Sequence, residues 1–297
     1  MKYIITVFFA AAVTSVSAQQ LQTSSMYQLQ GMLQNPAMAG VQETNFIGAS
    51  YRTQWSGISG SPTTATIFGS FDLPKPAVGI GGYLYTDKTG PTKRTGLELS
   101  LAKHIVTDNG NVFSLGIESR FQQYSLDKAK LTATLGSDPA IGGSDSRFKY
   151  DAGFGMAYAT KKFQIGASVS QLVQSKLDFY SGNLSTTEQA RLYRHYYFHG
   201  AYTWNVDGVT TITPNFVVTY LPNAPTDFQV GARVVHRELF WWGVGYRAKQ
   251  SFMLSAGINI NKKFTIGYAY DDYVSPISTF DQGASAHEIL LRYNFAK

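Results

Sequence analysis

The sequence has no cysteine, which excludes a disulfide framework, a cysteine-ligated zinc site and a thiol nucleophile. Charge is also scarce: charged residues make up 15%, against roughly 25% in an average soluble domain. Beyond the N-terminus no stretch of about 18 consecutive apolar residues occurs, so a helical membrane protein is excluded. Hydrophobic residues still make up 44%, which excludes a disordered acidic chain. What is plentiful is aromatic, with 19 Phe, 19 Tyr and 4 Trp, together with 28 Gly among 297 residues. The formal net charge of +6 is too small an excess to point to nucleic acid.

The first 18 residues read as an export signal. Lys2 supplies the charged start, an apolar run extends from Ile4 to Val13, and Val16, Ser17 and Ala18 form a small-residue cleavage site. The run is too short to anchor a helix across a bilayer. Cleavage after Ala18 is expected. Residues 19–43 are Gln-rich, with Met26, Tyr27, Leu29, Met32 and Leu33 at loose helical spacing before a turn at Asn35 and Pro36. The expectation is a periplasmic segment that plugs a lumen, lies across its mouth, or frays as a terminus.

From about residue 44 the pattern has period two. Phe264, Ile266, Tyr268 and Tyr270 alternate with Thr265, Gly267, Ala269 and Asp271. Ile289, Leu291, Tyr293 and Phe295 alternate with Glu288, Leu290, Arg292 and Asn294. Successive side chains of a strand point to opposite faces, so each segment has one apolar and one polar or small face. The class is all-β. Candidate strands fall near 44–54, 63–73, 77–86, 93–105, 111–124, 148–159, 162–172, 191–204, 209–220, 226–236, 239–247, 251–260, 263–271 and 286–295. Every second connection is a tight turn, as at Asn205-Val206-Asp207-Gly208 or Asn261-Lys262, while 125–147, 173–190 and 272–285 are long.

An even strand number, tight turns at one end and long loops at the other describe a closed antiparallel transmembrane β-barrel over 44–297. Fourteen strands are expected, with both termini in the periplasm. The rival readings are a secreted β-sandwich and a β-propeller. The first rarely has so many strands in one meander, and the second needs a blade repeat that is absent. Aromatics near strand ends suit interfacial girdles: Trp55, Tyr85, Tyr158, Trp204, Tyr220, Trp242, Tyr246, Tyr270, Tyr293 and Phe295.

Five strings carry more than periodicity. They are Gln34-Asn35-Pro36-Ala37-Met38-Ala39-Gly40; Arg52-Thr53-Gln54-Trp55-Ser56-Gly57 followed by Gly60-Ser61-Pro62-Thr63; Phe240-Trp241-Trp242-Gly243-Val244-Gly245-Tyr246-Arg247; Ile266-Gly267-Tyr268-Ala269-Tyr270-Asp271; and His287-Glu288-Ile289-Leu290-Leu291-Arg292-Tyr293-Asn294-Phe295. Taken in this order, they resemble the PorP/SprF family of Bacteroidota outer-membrane proteins over nearly the whole chain. The resemblance implies a non-enzymatic part of type IX secretion, or in some members of gliding motility. It also implies partners among secretion components, or cargo with an adhesin-type C-terminal signal.

The residues themselves allow structural roles as well. Gly57 and Pro62 suit a loop between the first two strands. Arg52 and Arg247 would cost about 2–4 kcal/mol on the lipid face at mid-depth, so they should face the lumen or a rim. Glu98, Glu118 and Asp151 are the expected partners. Arg94, Arg120 and Arg233 complete the candidate lumen charges. No catalytic constellation and no cofactor or phosphate motif is visible. His195 and His199, four apart on a strand, stand roughly 13 Å apart and do not share a metal. Asp271 and Asp272 with Asp281 are a weak candidate for Ca²⁺, since surface-loop carboxylates are usually solvated. A passive channel for small solutes is the alternative function.

Overall fold

A computed structural model describes residues 22–41, 45–130, 146–177, 191–222, 224–275, 277–280 and 285–295. The expected leader at 1–18 and Asp281 lie outside the described residues. The strands are β1 (Phe46–Gln54), β2 (Thr63–Leu73), β3 (Val78–Thr89), β4 (Thr92–Val106), β5 (Val112–Leu126), β6 (Ser146–Ala159) and β7 (Phe163–Ser170). There follow β8 (His195–Tyr202, resumed at Trp204–Asn205), β9 (Thr210–Tyr220), β10 (Asp227–His236), β11 (Phe240–Arg247), β12 (Ser251–Ile260), β13 (Phe264–Tyr273) and β14 (Ala286–Asn294). Both pieces of β8 pair with β9 in one register. The break between them lies beside Pro214, which has no N–H to give to a ladder.

Each strand pairs antiparallel with its sequence neighbours, and β1 pairs with β14 from Phe46 and Asn294 to Gln54 and Ala286. The sheet is therefore a closed barrel of fourteen strands. The registers add to a stagger of about fourteen residues around the ring, equal to the strand number and consistent with the roughly 35–45° tilt of barrels. Closure leaves no strand edge in hydrocarbon.

Period-two burial runs through the strands, as in β4, where Leu97, Leu99 and Leu101 are exposed while Glu98, Ser100 and Ala102 are buried. The exposed set forms a continuous outer band that includes Ile67, Leu84, Ile117, Met156, Val244, Leu254, Ile289 and Leu291. Aromatic pairs bracket it. Tyr293 sits 4.9 Å from Phe264 and 5.0 Å from Phe295 at one end, and Tyr246 sits 5.0 Å from Phe252 at the other.

Tyr85 departs from its expected girdle position. Strand β3 continues to Thr89, so Tyr85 lies well inside it and faces the lumen, where its hydroxyl donates to Gln122 at 2.8 Å. Two of the tight turns also differ in chemistry from Asn-Gly hairpins. Arg237 and Glu238, and Asn261 and Lys262, all have φ between 51° and 57°. Both central residues of each turn are thus left-handed, the geometry that matches strand twist.

The lipid-facing assignment is testable at mid-strand. Leu99→Arg is expected to lower unfolding free energy in lipid vesicles by about 2–4 kcal/mol, and Leu99→Met by less than about 1.5 kcal/mol. Equal effects of the two in equilibrium unfolding would place this face outside hydrocarbon.

Candidate functional site

Residues 22–41 run inside the barrel. Met26, Met32, Ala37, Met38 and Ala39 are each at most 3% exposed although none belongs to a strand. Two 3₁₀ turns, Tyr27–Leu29 and Pro36–Met38, organise the segment. Asn35 caps the second: its side-chain oxygen accepts from Ala37 N at 2.9 Å, and Pro36 occupies the first position, where no N–H is needed. The Asn35 amide nitrogen donates to the carbonyl of Met156 at 3.0 Å and meets His199 Nε2 at 3.0 Å.

The wall beneath this turn is built for close approach. Gly79, Ala102, Gly116, Gly155 and Ser168 face one another strand to strand across β3 to β7. They form one transverse row of small inward residues. A Cβ on Gly79 would lie 1.8 Å from the Ala39 carbonyl oxygen, on Gly116 2.3 Å from Ala37 N, and on Gly155 2.0 Å from Asn35 Oδ1. Any larger side chain there would occupy the space that residues 35–39 now fill.

Higher in the lumen the segment meets a charged cluster. Arg52 on β1 bonds Asp271 on β13 at 2.5 Å and Glu288 on β14 at 3.3 Å, and Arg247 on β11 lies 3.8 Å from Asp271. Arg247 also donates to Gln229 at 3.1 Å. Ser24 Oγ donates to Glu288 at 2.5 Å, Ser25 N donates to Glu288 at 2.8 Å, and Ser25 Oγ donates to Asp271 at 2.6 Å. Two cations and two carboxylates thus share one buried site, and the N-terminal segment fills the remaining acceptor positions. Tyr27 donates to Asn215 at 2.6 Å.

A second cluster sits on β4 and β5. Arg120 bonds Glu98 at 2.5 Å and Glu118 at 3.1 Å. Beside it Asp151 accepts from the backbone N–H of Ala152 at 2.8 Å and of Val173 at 2.9 Å. Arg94 pairs with Asp87 at 3.0 Å. The partners of Arg52 and Arg247 are therefore Asp271 and Glu288, not the expected Glu98, Glu118 or Asp151, because closure brings β13 and β14 beside β1.

The remaining motif residues separate. Tyr246 is on the outer face, Gly57 is exposed in the loop, and Pro62 accepts from Gln54 N at 2.9 Å. Trp55, with φ 52°, packs 6.2 Å from Tyr273. Arg233 faces the lumen without an acidic partner among the described residues. The sequence reading missed Trp241, Ser24 and Ser25. Trp241 is 3% exposed inside the barrel, and its phase relative to Gly243 and Gly245 was the available signal. His195 bonds the Tyr193 carbonyl and His199 meets Asn35, so each has its own partner. Among the described residues no group of three or more metal-ligating side chains converges.

Two substitutions test this arrangement. Arg52→Ala leaves Asp271 and Glu288 without their shared cation and is expected to cost about 3–5 kcal/mol in detergent unfolding. Lys262→Ala, which removes an exposed pair with Glu238, should cost less than about 1 kcal/mol. Gly116→Leu is expected to eject the segment, so that added protease cleaves within residues 22–41. Gly82→Ala, whose Cβ would make ordinary contact 3.6 Å from the Glu98 carbonyl, should remain resistant.

The barrel is similar to two solved structures that share little sequence with it. One is the CymD monoaromatic hydrocarbon channel, with 12% identity, a TM-score of 0.52, and coverage of 90% of this chain and 93% of that one. The other is the TodX deltaS2S3 mutant monoaromatic hydrocarbon channel, with 10% identity, a TM-score of 0.50, and coverage of 88% and 93%. At such identity the likeness concerns the fold. No curated protein matches the sequence. The profile of a family described as type IX secretion system membrane protein PorP/SprF matches residues 16–293. With nearly the whole chain matched and a porin-like barrel, this is an outer-membrane protein that belongs to the PorP/SprF family of type IX secretion.

Proposed function

We propose that the protein works by docking other proteins, without catalysis and without passing solutes. It supports export or surface attachment of cargo with an adhesin-type C-terminal signal, or links the outer membrane to periplasmic secretion components. The tight turns and the end of β14 face the periplasm in this reading; against the expected periplasmic N-terminus, residues 22–25 lie toward the long-loop end, where Thr23 bonds Gln54 at the end of β1. The observation that carries it is the occupied lumen. Away from the tight-turn end, cavities between residues 22–41 and the wall hold about 30, 30 and 10 Å³, room for a water or two. A wall that spends a buried ion cluster on holding a segment in place suits a rigid platform better than a conduit.

The alternative, a passive channel for small solutes, draws on the channels that share the barrel fold. The two readings separate by conductance. The full chain in planar bilayers is expected to show no steady pore current, and Gly116→Leu to raise it. A stable pore in the unaltered protein would favour the channel. Deleting the gene, followed by a census of surface proteins, is expected to remove adhesin-type cargo from the surface. Unchanged surface cargo would rule out the secretion role.

A further inference from the structure

Not all of the lumen is filled. At the tight-turn end the barrel opens into a vestibule of about 510 Å³, closed inward by Leu29 of the N-terminal segment. Arg233 and Arg292 stand on its walls, with Lys161, Lys162, Lys262 and Glu238 lining it as well. Glu238 is paired with Lys262. Among the described residues the charge that remains is cationic. Arg292 is fixed in place, donating to the Leu29 carbonyl at 2.9 Å and lying over the Phe46 ring at 3.6 Å.

Arg233 differs from the lumen arginines of the two ion clusters. Arg52, Arg120 and Arg247 each have a carboxylate within 4 Å. Arg233 faces Thr213 on β9 and Gly243 on β11, neither of them acidic, and its Nε is shielded from water with no hydrogen-bond partner. A half-buried guanidinium with no carboxylate beside it leaves a positive charge at the wall that an incoming anion would neutralise. A guanidinium fork matches a carboxylate with two parallel hydrogen bonds. The cavity is of the roughly 300–1,000 Å³ size of ligand sites. Gln28 and Leu29 of the N-terminal segment stand across its inner end. The amide of Gln164 and the hydroxyl of Thr213 on the wall suit the main chain of a peptide.

We propose that this vestibule binds an acidic peptide segment of a partner protein entering from the tight-turn side. Arg233 receives a carboxylate, and Lys161 and Lys162 steer the segment in. The inference deepens the docking reading and rests on it only for the existence of a protein partner.

The test uses the full chain in detergent and a fluorescent tetraglutamate peptide followed by anisotropy. Saturable binding that weakens as salt rises is expected. Arg233→Ala should weaken it about tenfold, the loss of one charge-assisted contact, with Arg233→Lys intermediate. Lys161→Ala combined with Lys162→Ala should weaken binding at low salt. Lys88→Ala combined with Lys93→Ala, at the opposite end, should leave it unchanged. No saturable binding, binding indifferent to Arg233→Ala, or loss caused by the opposite-end variant would overturn the proposal. Displacement by inorganic phosphate at equal concentration would overturn the peptide assignment in favour of a general anion site. If the Arg233 variants fail to form the heat-modifiable barrel band on gels, the Lys161 and Lys162 variant decides, and unchanged binding refutes the site. Secretion that depends on the chain despite absent peptide binding would refute the vestibule alone, and the conductance and surface census would stand apart.

Discussion

In hydrocarbon a backbone N–H or C=O without a partner costs several kcal/mol, and only a helix or a closed ring of strands satisfies them all. The pairing of β1 with β14 is therefore the contact on which the rest depends. Once the ring closes at fourteen strands, its interior is wider than its own side chains fill, since about eight strands already suffice for a side-chain core. Something must occupy that space, be it water or polypeptide. Here residues 22–41 occupy most of it, and the composition of the inner wall follows from that occupancy.

The inner wall serves two ends. Where the segment lies flat, the wall is small: Gly79, Ala102, Gly116, Gly155 and Ser168 let backbone rest on backbone. Where the segment ends in Ser24 and Ser25, the wall is charged. Arg52, Arg247, Asp271 and Glu288 come from four of the strings that carry the family resemblance, and they meet at one point. Strings far apart in sequence are thus explained together by one buried, charge-balanced site. Such a site adds little net stability over an apolar one, but loss of any member is costly.

Strand positions were legible in the sequence because period two is a local property. Strands β2 and β12 fall on the expected boundaries of 63–73 and 251–260. The face of each charged residue was legible for the same reason, as with Glu98 between Leu97 and Leu99. Pairing was not. Whether Arg52 meets Glu98 or Glu288 depends on the stagger summed around the ring, which no single strand records. The small-residue row was hidden likewise, since Gly79, Gly116 and Gly155 become neighbours only after register is set. Tyr85 was misplaced because β3 runs three residues beyond its expected end, turning an apparent rim aromatic into an interior one.

The bond between Ser24 and Glu288 joins residues 264 apart in the chain. A sealed seam offers no side entrance for a polypeptide, so the segment enters either while β1 and β14 are still apart or through an open end of the barrel. The first-made part of the chain then waits for the last-made strand before its own place exists. Contacts of such sequence separation carry heavy loop-closure cost and slow the final step. The finished lumen thus needs both ends of the chain, since the site that holds Ser24 does not exist until β14 is in place.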